Sequence, residues 1–216
     1  MAEPLFNLDE TDRLLSTTRA VRKRLDLDRP VEPEVVVDCL RLAVQAPTGG
    51  NQQGWRWMVV TDADKRAAIA QAYNDAGAGY LKMAAANDDQ DPQTKRVYES
   101  AAALTDTLAR VPVHVIPCLE GRIDLGHNGT AAAAYGSILP AVWSFNLALR
   151  SRGLGSVFTT LHLFKEKEVG ELLGIPKDFT QVALLPVAYT LGTEFKPATR
   201  PPVEDITYWD SWGATR

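Results

Sequence analysis

Apolar residues along this chain alternate between helical spacing and short unbroken runs, the pattern of helices interleaved with strands. Leu14 and Leu15, behind a group of acidic residues, predict a short first helix, and the stretch from Arg19 to Arg29 has no helical period and reads as extended. Pro33, placed for a first turn, leads into Val35, Val36, Cys39, Leu40, Ala43 and Val44, a helix with one buried face. The run from Ala46 to Gly54 holds three glycines, a proline and three amides and excludes regular structure. Trp55–Val60 then has the aromatic and β-branched content of a strand. Asp62 is placed to cap an alanine-rich helix running towards Tyr80, and a second amphipathic helix is expected from Pro92 to Arg110.

Further along, Val111–Leu119 predicts a buried strand and Gly121–Gly129 a loop beyond it. Tyr135, Ile138, Leu139, Val142, Phe145, Asn146 and Leu149 share one helical face, which predicts a long central helix kinked or restarted at Pro140 and ended by Gly153-Leu-Gly155. Val157–Leu161 and Val182–Tyr189 are expected as strands, with a helix at Glu166–Leu173 capped by Gly174 between them. From Lys196 the tail has little periodicity, and residues 196–216 are expected to dock on a surface, that of a partner subunit, through Tyr208, Trp209 and Trp212. The alternation predicts one layered α/β or α+β domain over residues 1–216.

Composition narrows the function classes. With 45% hydrophobic and 23% charged residues the chain is expected to fold, and its net charge of −4 gives no overall field for nucleic acid or anionic membrane. The longest apolar stretches are interrupted by Pro112, Pro117, Pro140 or charges, and the amino terminus lacks a basic and then apolar leader, so no membrane span and no export are expected. Cys39 and Cys118 have neither disulfide nor zinc spacing, and a reducing cytoplasm is the default location.

Chemistry concentrates in two places. Between Arg13 and Arg29 stand Arg13, Arg19, Arg22, Lys23, Arg24 and Arg29 against Asp26 and Asp28. This local basic surplus is either an anion site, where guanidinium forks match phosphate oxygens, or a solvated basic face. The loop Pro47–Gly54 combines permissive backbone with Thr48, Asn51, Gln52 and Gln53, suited to the polar edges of a planar heterocycle or to an ordinary helix-to-strand connection. It is not a phosphate-binding P-loop, and no dinucleotide fingerprint follows a strand. His114, His127 and His162 are scattered, with no zinc-helix spacing, and neither Ser137 nor Ser156 sits in a nucleophile elbow. The residues alone reach a soluble α/β domain with one local phosphate-type site and no metal site.

In order along the chain, five motifs resemble the nitroreductase family of flavin enzymes. They are Thr17-Thr-Arg-Ala-Val-Arg-Lys-Arg24, Ala46-Pro-Thr-Gly-Gly-Asn-Gln-Gln-Gly-Trp55, Gly153-Leu-Gly-Ser-Val-Phe-Thr-Thr-Leu-His162, Leu172-Leu-Gly-Ile-Pro-Lys-Asp178 with Ala183-Leu-Leu-Pro186, and Lys196-Pro-Ala-Thr-Arg-Pro-Pro-Val-Glu204. The resemblance implies an α+β fold with a central mixed β-sheet flanked by helices, and a homodimer binding FMN at two interface sites. It implies that Arg19 and Arg200, with Lys196, bind the FMN phosphate, and that Arg22 stands near the pyrimidine edge of the flavin. It assigns Pro47, Thr48, Gly49 and Asn51 to a loop reaching the flavin of the other subunit. The backbone amides of Leu161 and His162 would face flavin N5 and O4, with Ala20 and Thr160 among the cofactor contacts. Departures from the family pattern fall at Ala20, often serine, at Gly54 in place of proline, at Ala188 and Thr190 in place of glycine and proline, and at Arg24 in place of an aromatic residue or leucine. The implied activity is NAD(P)H-dependent reduction of a small-molecule acceptor such as a nitroaromatic or quinone, the flavin rather than a side chain carrying the chemistry. A specialised flavin-dependent dehydrogenase or dehalogenase, or a flavin-storage protein, stands as the alternative.

Overall fold

A computed structural model describes residues 4–215. These form two compact units, one of residues Arg19–Thr193 and one of the two chain ends, up to Thr18 and from Glu194 on.

In the larger unit the helices are α2 (Pro33–Ala43), α3 (Ala63–Ala85), α4 (Pro92–Thr107), α5 (Asn128–Gly136), α6 (Leu139–Ser151) and α7 (Glu166–Leu173). The strands are β1 (Trp55–Val60), β2 (Val113–Glu120), β3 (Leu154–Gly155), β4 (Phe179–Gln181) and β5 (Leu185–Tyr189). Local chemistry sets most boundaries. Asp62 accepts from the Lys65 amide to cap α3, Asp91 does the same for Gln93 and Thr94 at α4, and Gly174 ends α7 in the left-handed region at φ 69°. The expected central helix is two, parted at Ser137–Ile138, with Pro140 in the first turn of α6, where its missing N–H leaves no bond unmade.

The strand order is β1-β2-β5-β3, with β4 also on β2, and all these pairs are antiparallel. Parallel pairing enters the sheet at two isolated bridges, Ala20–Ser156 and Gly121–Phe179. β2 is buried along nearly its whole length, and its flank packs with α2 and α6 through Val36, Cys39, Val113, Val115, Val142, Phe145 and Leu149. Two expectations change here. Residues 157–161 are not a strand: this segment makes single bridges at Ser156 and Thr159 to different neighbours and then turns into a 3-10 helix at Leu161–Lys165, so no partner runs alongside it. The strand expected at 182–189 is shorter, with β5 running from Leu185 to Tyr189, and a separate strand that was not expected, β4, ends ahead of it at Gln181.

Asn128–Ser151, 24 residues with an 18-residue window of mean hydropathy 1.3, is long and apolar enough to cross a membrane by length and composition, although the sequence reading takes Pro140 to cut it short. Much of its apolar character is explained by α6, whose Ala141, Val142, Phe145, Ala148 and Leu149 are buried.

The smaller unit contains α1 (Leu8–Thr17), capped by Asn7 on the Glu10 amide, and a tail whose one helical turn is Val203–Ile206. Tyr208 and Trp212 pack ring to ring at 5.1 Å, yet Trp212 is 92% exposed.

Candidate functional site

The basic segment enters the sheet beyond β3. The Val21 amide donates to the Ser156 carbonyl at 2.8 Å, and Ala20 pairs with Ser156. This close approach needs Gly155, where a Cβ would lie 2.7 Å from Thr190 Cγ2 and 2.9 Å from Val21 Cβ. With Val21 held inward, the neighbouring Arg22 is half-buried. Burial lowers its pKa, an effect partly opposed by the Tyr73 phenol. No carboxylate and no hydrogen-bond acceptor engages the Arg22 side chain among the described residues. A desolvated cation without a counter-charge is unfavourable on its own and favours an arriving anion.

From Ser156 the chain runs on to the segment Thr159–His162. Thr159 is fixed by reciprocal backbone bonds with Leu184 (3.1 and 2.8 Å), and its hydroxyl donates to Tyr73 Oη at 3.0 Å. Thr160 precedes the 3-10 turn, which opens at Leu161 and His162. The first amides of a helical turn have no partner within it, so these N–H groups are the natural donors to a bound acceptor. Leu161 rests on α3 at Gly77, where a Cβ would meet Leu161 Cδ1 at 2.7 Å. The His162 ring is 0% exposed and neither of its nitrogens has a hydrogen-bond partner. Burial pushes its pKa down to about 4, against the opposing pull of Glu166, so the ring is neutral at physiological pH. Its side chain points into the protein, leaving the backbone as its route to a ligand.

The glycine-rich loop is built separately. A 3-10 turn at Gly49–Asn51 is anchored by the Gly49 amide donating to Ser137 Oγ (2.9 Å), and the Gln53 amide donates to Thr48 Oγ1 (3.3 Å). Gly50, Asn51 and Gln53 all have positive φ, at 58°, 55° and 50°. For Gln53 that conformation is strained and therefore held by its surroundings. The loop borders a groove of about 830 Å³ that also involves Glu120, His127, Thr130 and Ser137. None of Arg19, Ala20, Arg22 or Thr160–His162 lines it.

The structure brings Ala20 and Val21 to Ser156 at one end of the sheet, ties Thr159, two residues ahead of Leu161, to Leu184 and Tyr73, and sets Thr48, Gly49 and Asn51 before Trp55 at the other end. Trp55, just after the loop, pairs with Leu119 on β2, whereas the Gly155 region lies level with Val113 through β5. The six steps along β2 from Val113 to Leu119 span about 20 Å at ~3.4 Å each, with strands β2 and β5 intervening. Pro47 is exposed at the loop's start, and Arg19 is half-buried beside Ala20. Lys196 and Arg200 belong to the smaller unit, where both are exposed and Arg200 donates to the Thr199 carbonyl at 2.9 Å.

Sequence reasoning missed Tyr73 and Thr159. Tyr73 falls on the buried stripe of α3 with Ile69, Gly77 and Leu81, and a tyrosine on such a stripe requires a partner for its hydroxyl, which was the available signal.

The model of the Nitroreductase family matches residues 15–189. An NADH dehydrogenase of Thermus thermophilus is 27% identical over 220 aligned positions, covering 94% of this chain and 100% of that protein. A 5,6-dimethylbenzimidazole synthase of Rhodospirillum rubrum is 28% identical over 86% of each chain. Among solved structures, iodotyrosine deiodinase bound to FMN and 3-iodo-L-tyrosine superposes with a TM-score of 0.69 at 22% identity, covering 93% of this chain and 99% of that one, which establishes a shared fold. With that fold and a family match over most of its length, the chain belongs to the nitroreductase family of flavoprotein oxidoreductases.

Proposed function

We propose that the protein is an FMN-dependent oxidoreductase that takes electrons from NAD(P)H and passes them to a small acceptor of the nitroaromatic or quinone type. The observation that carries this reading is the half-buried Arg22 guanidinium, which no carboxylate or acceptor among the described residues engages, on the segment that pairs with Ser156 a few residues ahead of the turn opening at Leu161. When bound, FMN supplies the ring that accepts hydride from the nicotinamide and returns it to the acceptor. Arg22 stabilises the negative charge that the ring gains on reduction, and the Leu161 and His162 amides orient its opposite edge. Arg19, Lys196 and Arg200 bind the phosphate, as their match to the family motifs implies, with Ala20 and Thr160 in contact.

The second half of the pocket comes from another copy of the chain. Pro47, Thr48, Gly49 and Asn51 stand about 20 Å along the sheet from Arg22's neighbours, too far to close on the same ring. A two-fold dimer brings one copy's loop to the other's Arg22 segment. Its interface is supported by α5, which has no charged residue and none buried, together with exposed Leu139 and Trp143 on α6 and Val37 and Leu42 on α2. The exposed aromatic tail docks on the same partner. The buried free thiols Cys39 and Cys118, the latter pushed up to about 12 by burial, suit a reducing cytoplasm.

The test is to purify the protein, identify any released flavin, and add NADH or NADPH anaerobically before reoxidising with a quinone. Bleaching and recovery support the reading. A colourless protein that binds no added FMN refutes it, and a yellow protein that neither nucleotide bleaches moves the assignment to a specialised dehydrogenase or dehalogenase or a storage protein.

A further inference from the structure

The groove beside the glycine-rich loop is the largest feature that the Arg22 side of the site leaves unused. At about 830 Å³ it has the size that takes a small aromatic molecule. Its lining offers amides and hydroxyls, among them Gln52, Gln53 and Thr130, and the only ionisable side chains among its lining residues are Glu120 and His127. His127 brings no positive charge. Its Nδ1 lies 3.3 Å from the Thr130 amide, which can only donate, so the ring accepts at that nitrogen and is neutral in this arrangement.

Glu120 therefore sets the charge of the groove. It stands at the end of β2, is exposed, and takes part in no ion pair among the described residues. The cations close to it in the sheet are engaged elsewhere. Arg122 grips Glu166 with both terminal nitrogens at 2.8 Å, and Arg56 donates to the Trp55 carbonyl and lies over the Phe179 ring at 5.9 Å. Gly54 leaves space for the carboxylate: the Glu120 amide donates to the Gly54 carbonyl at 2.8 Å, and a Cβ on Gly54 would stand 3.3 Å from Glu120 Cβ and 3.8 Å from Oε2.

We propose that this groove holds the electron acceptor and that Glu120 selects it by charge, admitting neutral or cationic aromatic acceptors and disfavouring anionic ones. This rests on the FMN reading above, in which Thr48 and Gly49, two of the groove's own residues, close on the flavin of the other subunit, and it adds the charge class of the substrate. A fixed negative charge with no partner raises the free energy of every anion brought beside it, while the uncharged donors around it remain for a nitro or carbonyl oxygen.

The experiment compares 4-nitrobenzamide with 4-nitrobenzoate, two nitroaromatics of nearly the same shape that differ in charge. Their dissociation constants are read from the perturbation of the flavin absorbance in FMN-loaded, oxidised protein, with no electron donor present, so nothing is turned over. The wild type is expected to bind the amide more tightly than the carboxylate. Glu120→Gln, which keeps the size and removes the charge, should narrow that ratio about threefold, the scale of one exposed charge interaction, and the effect should shrink at high salt. Glu120→Asp keeps the charge and should retain most of the wild-type ratio. A ratio that Glu120→Gln leaves unchanged, a ratio that the two variants alter alike, or a wild-type holoprotein that binds neither compound overturns the proposal. Should Glu120→Gln not fold, Glu120→Ala must narrow the ratio in the same direction, and an unchanged ratio there overturns it equally. Wild-type protein that binds no FMN refutes the underlying reading instead, and this inference falls with it.

Discussion

Two buried histidines should make the folded protein sensitive to mild acid. His114 and His162 are both 0% exposed, and burial lowers the pKa of each from 6.5 to about 4. His114 has one ring nitrogen bonded to the Leu108 carbonyl at 2.9 Å, and His162 has none. Because the folded-state pKa lies below the unfolded value, the stability tied to each ring is complete above about 6.5 and drains away as pH falls towards 4. In that window the unfolded chain binds up to two protons that the native state refuses. By linkage each histidine then withdraws about 2 kcal/mol on going from pH 7 to 5, and the pair about 4 kcal/mol, a large share of an ordinary domain's stability. Glu166, whose pKa is lowered mainly by its bond to Arg122, responds in the same direction but only below the carboxylate range, so pH 5 to 7 isolates the histidines.

The assay is urea unfolding of flavin-free protein at fixed concentration, followed by tryptophan fluorescence at pH 7, 6 and 5. The extrapolated stability should fall steeply in the last unit. His162→Leu should cost little at pH 7, since the ring it removes satisfies no hydrogen bond, and should roughly halve the slope. A wild-type stability that is flat between pH 7 and 5, or a slope that His162→Leu leaves unchanged, would refute the reasoning.

Two further outcomes are expected. Gly155→Ala places a methyl within 2.9 Å of Val21 Cβ and 2.7 Å of Thr190 Cγ2; it should destabilise by about 1–3 kcal/mol and weaken FMN binding by displacing the Arg19–Arg22 segment, as measured by thermal melts and flavin titration. Trp143→Asp, on the exposed face of α6, should convert a dimer to a monomer in sedimentation and release FMN in the same step, and a variant that stays dimeric with full flavin would remove this face from the interface.

How much of this was legible in the sequence follows from how local each cause is. Strand Trp55–Val60 was found with its exact ends because a loop precedes it and an Asp62 cap follows, both written in adjacent residues. The break near Pro140 was equally local. The segment after Gly155 was misread as a strand because Val157, Phe158, Thr159 and Thr160 have strand-forming side chains, while the absence of a continuous neighbour is decided by distant residues, Ala20 and Leu184. Three-residue β4 is too short to show alternation and becomes visible only through its register with Cys118–Glu120.

The site divides along the same line. Counting charges located the basic segment, but it could not distinguish Arg22, which lacks a counter-ion, from Arg24, which donates to the Leu191 carbonyl at 2.9 Å. That difference depends on where the chain carries acceptors 167 residues away. Tyr73 was hidden for the opposite reason, since a tyrosine on a core stripe satisfies the helical pattern and only its buried hydroxyl calls for a partner. The loop at Thr48–Asn51 shows how far such distances extend. Its chemistry was readable from composition, yet within one chain it stands at the far end of the sheet from Arg22, and in the proposed dimer it meets that residue only across the two-fold axis. No periodicity in a single chain encodes a relation between copies. What the chain does encode is an uncharged α5 followed by exposed Leu139 and Trp143, and burying them in the proposed dimer would remove apolar surface from water in the same event that closes the proposed flavin pocket. Flavin retention and dimerisation should therefore titrate together with protein concentration, each stabilising the other by mass action.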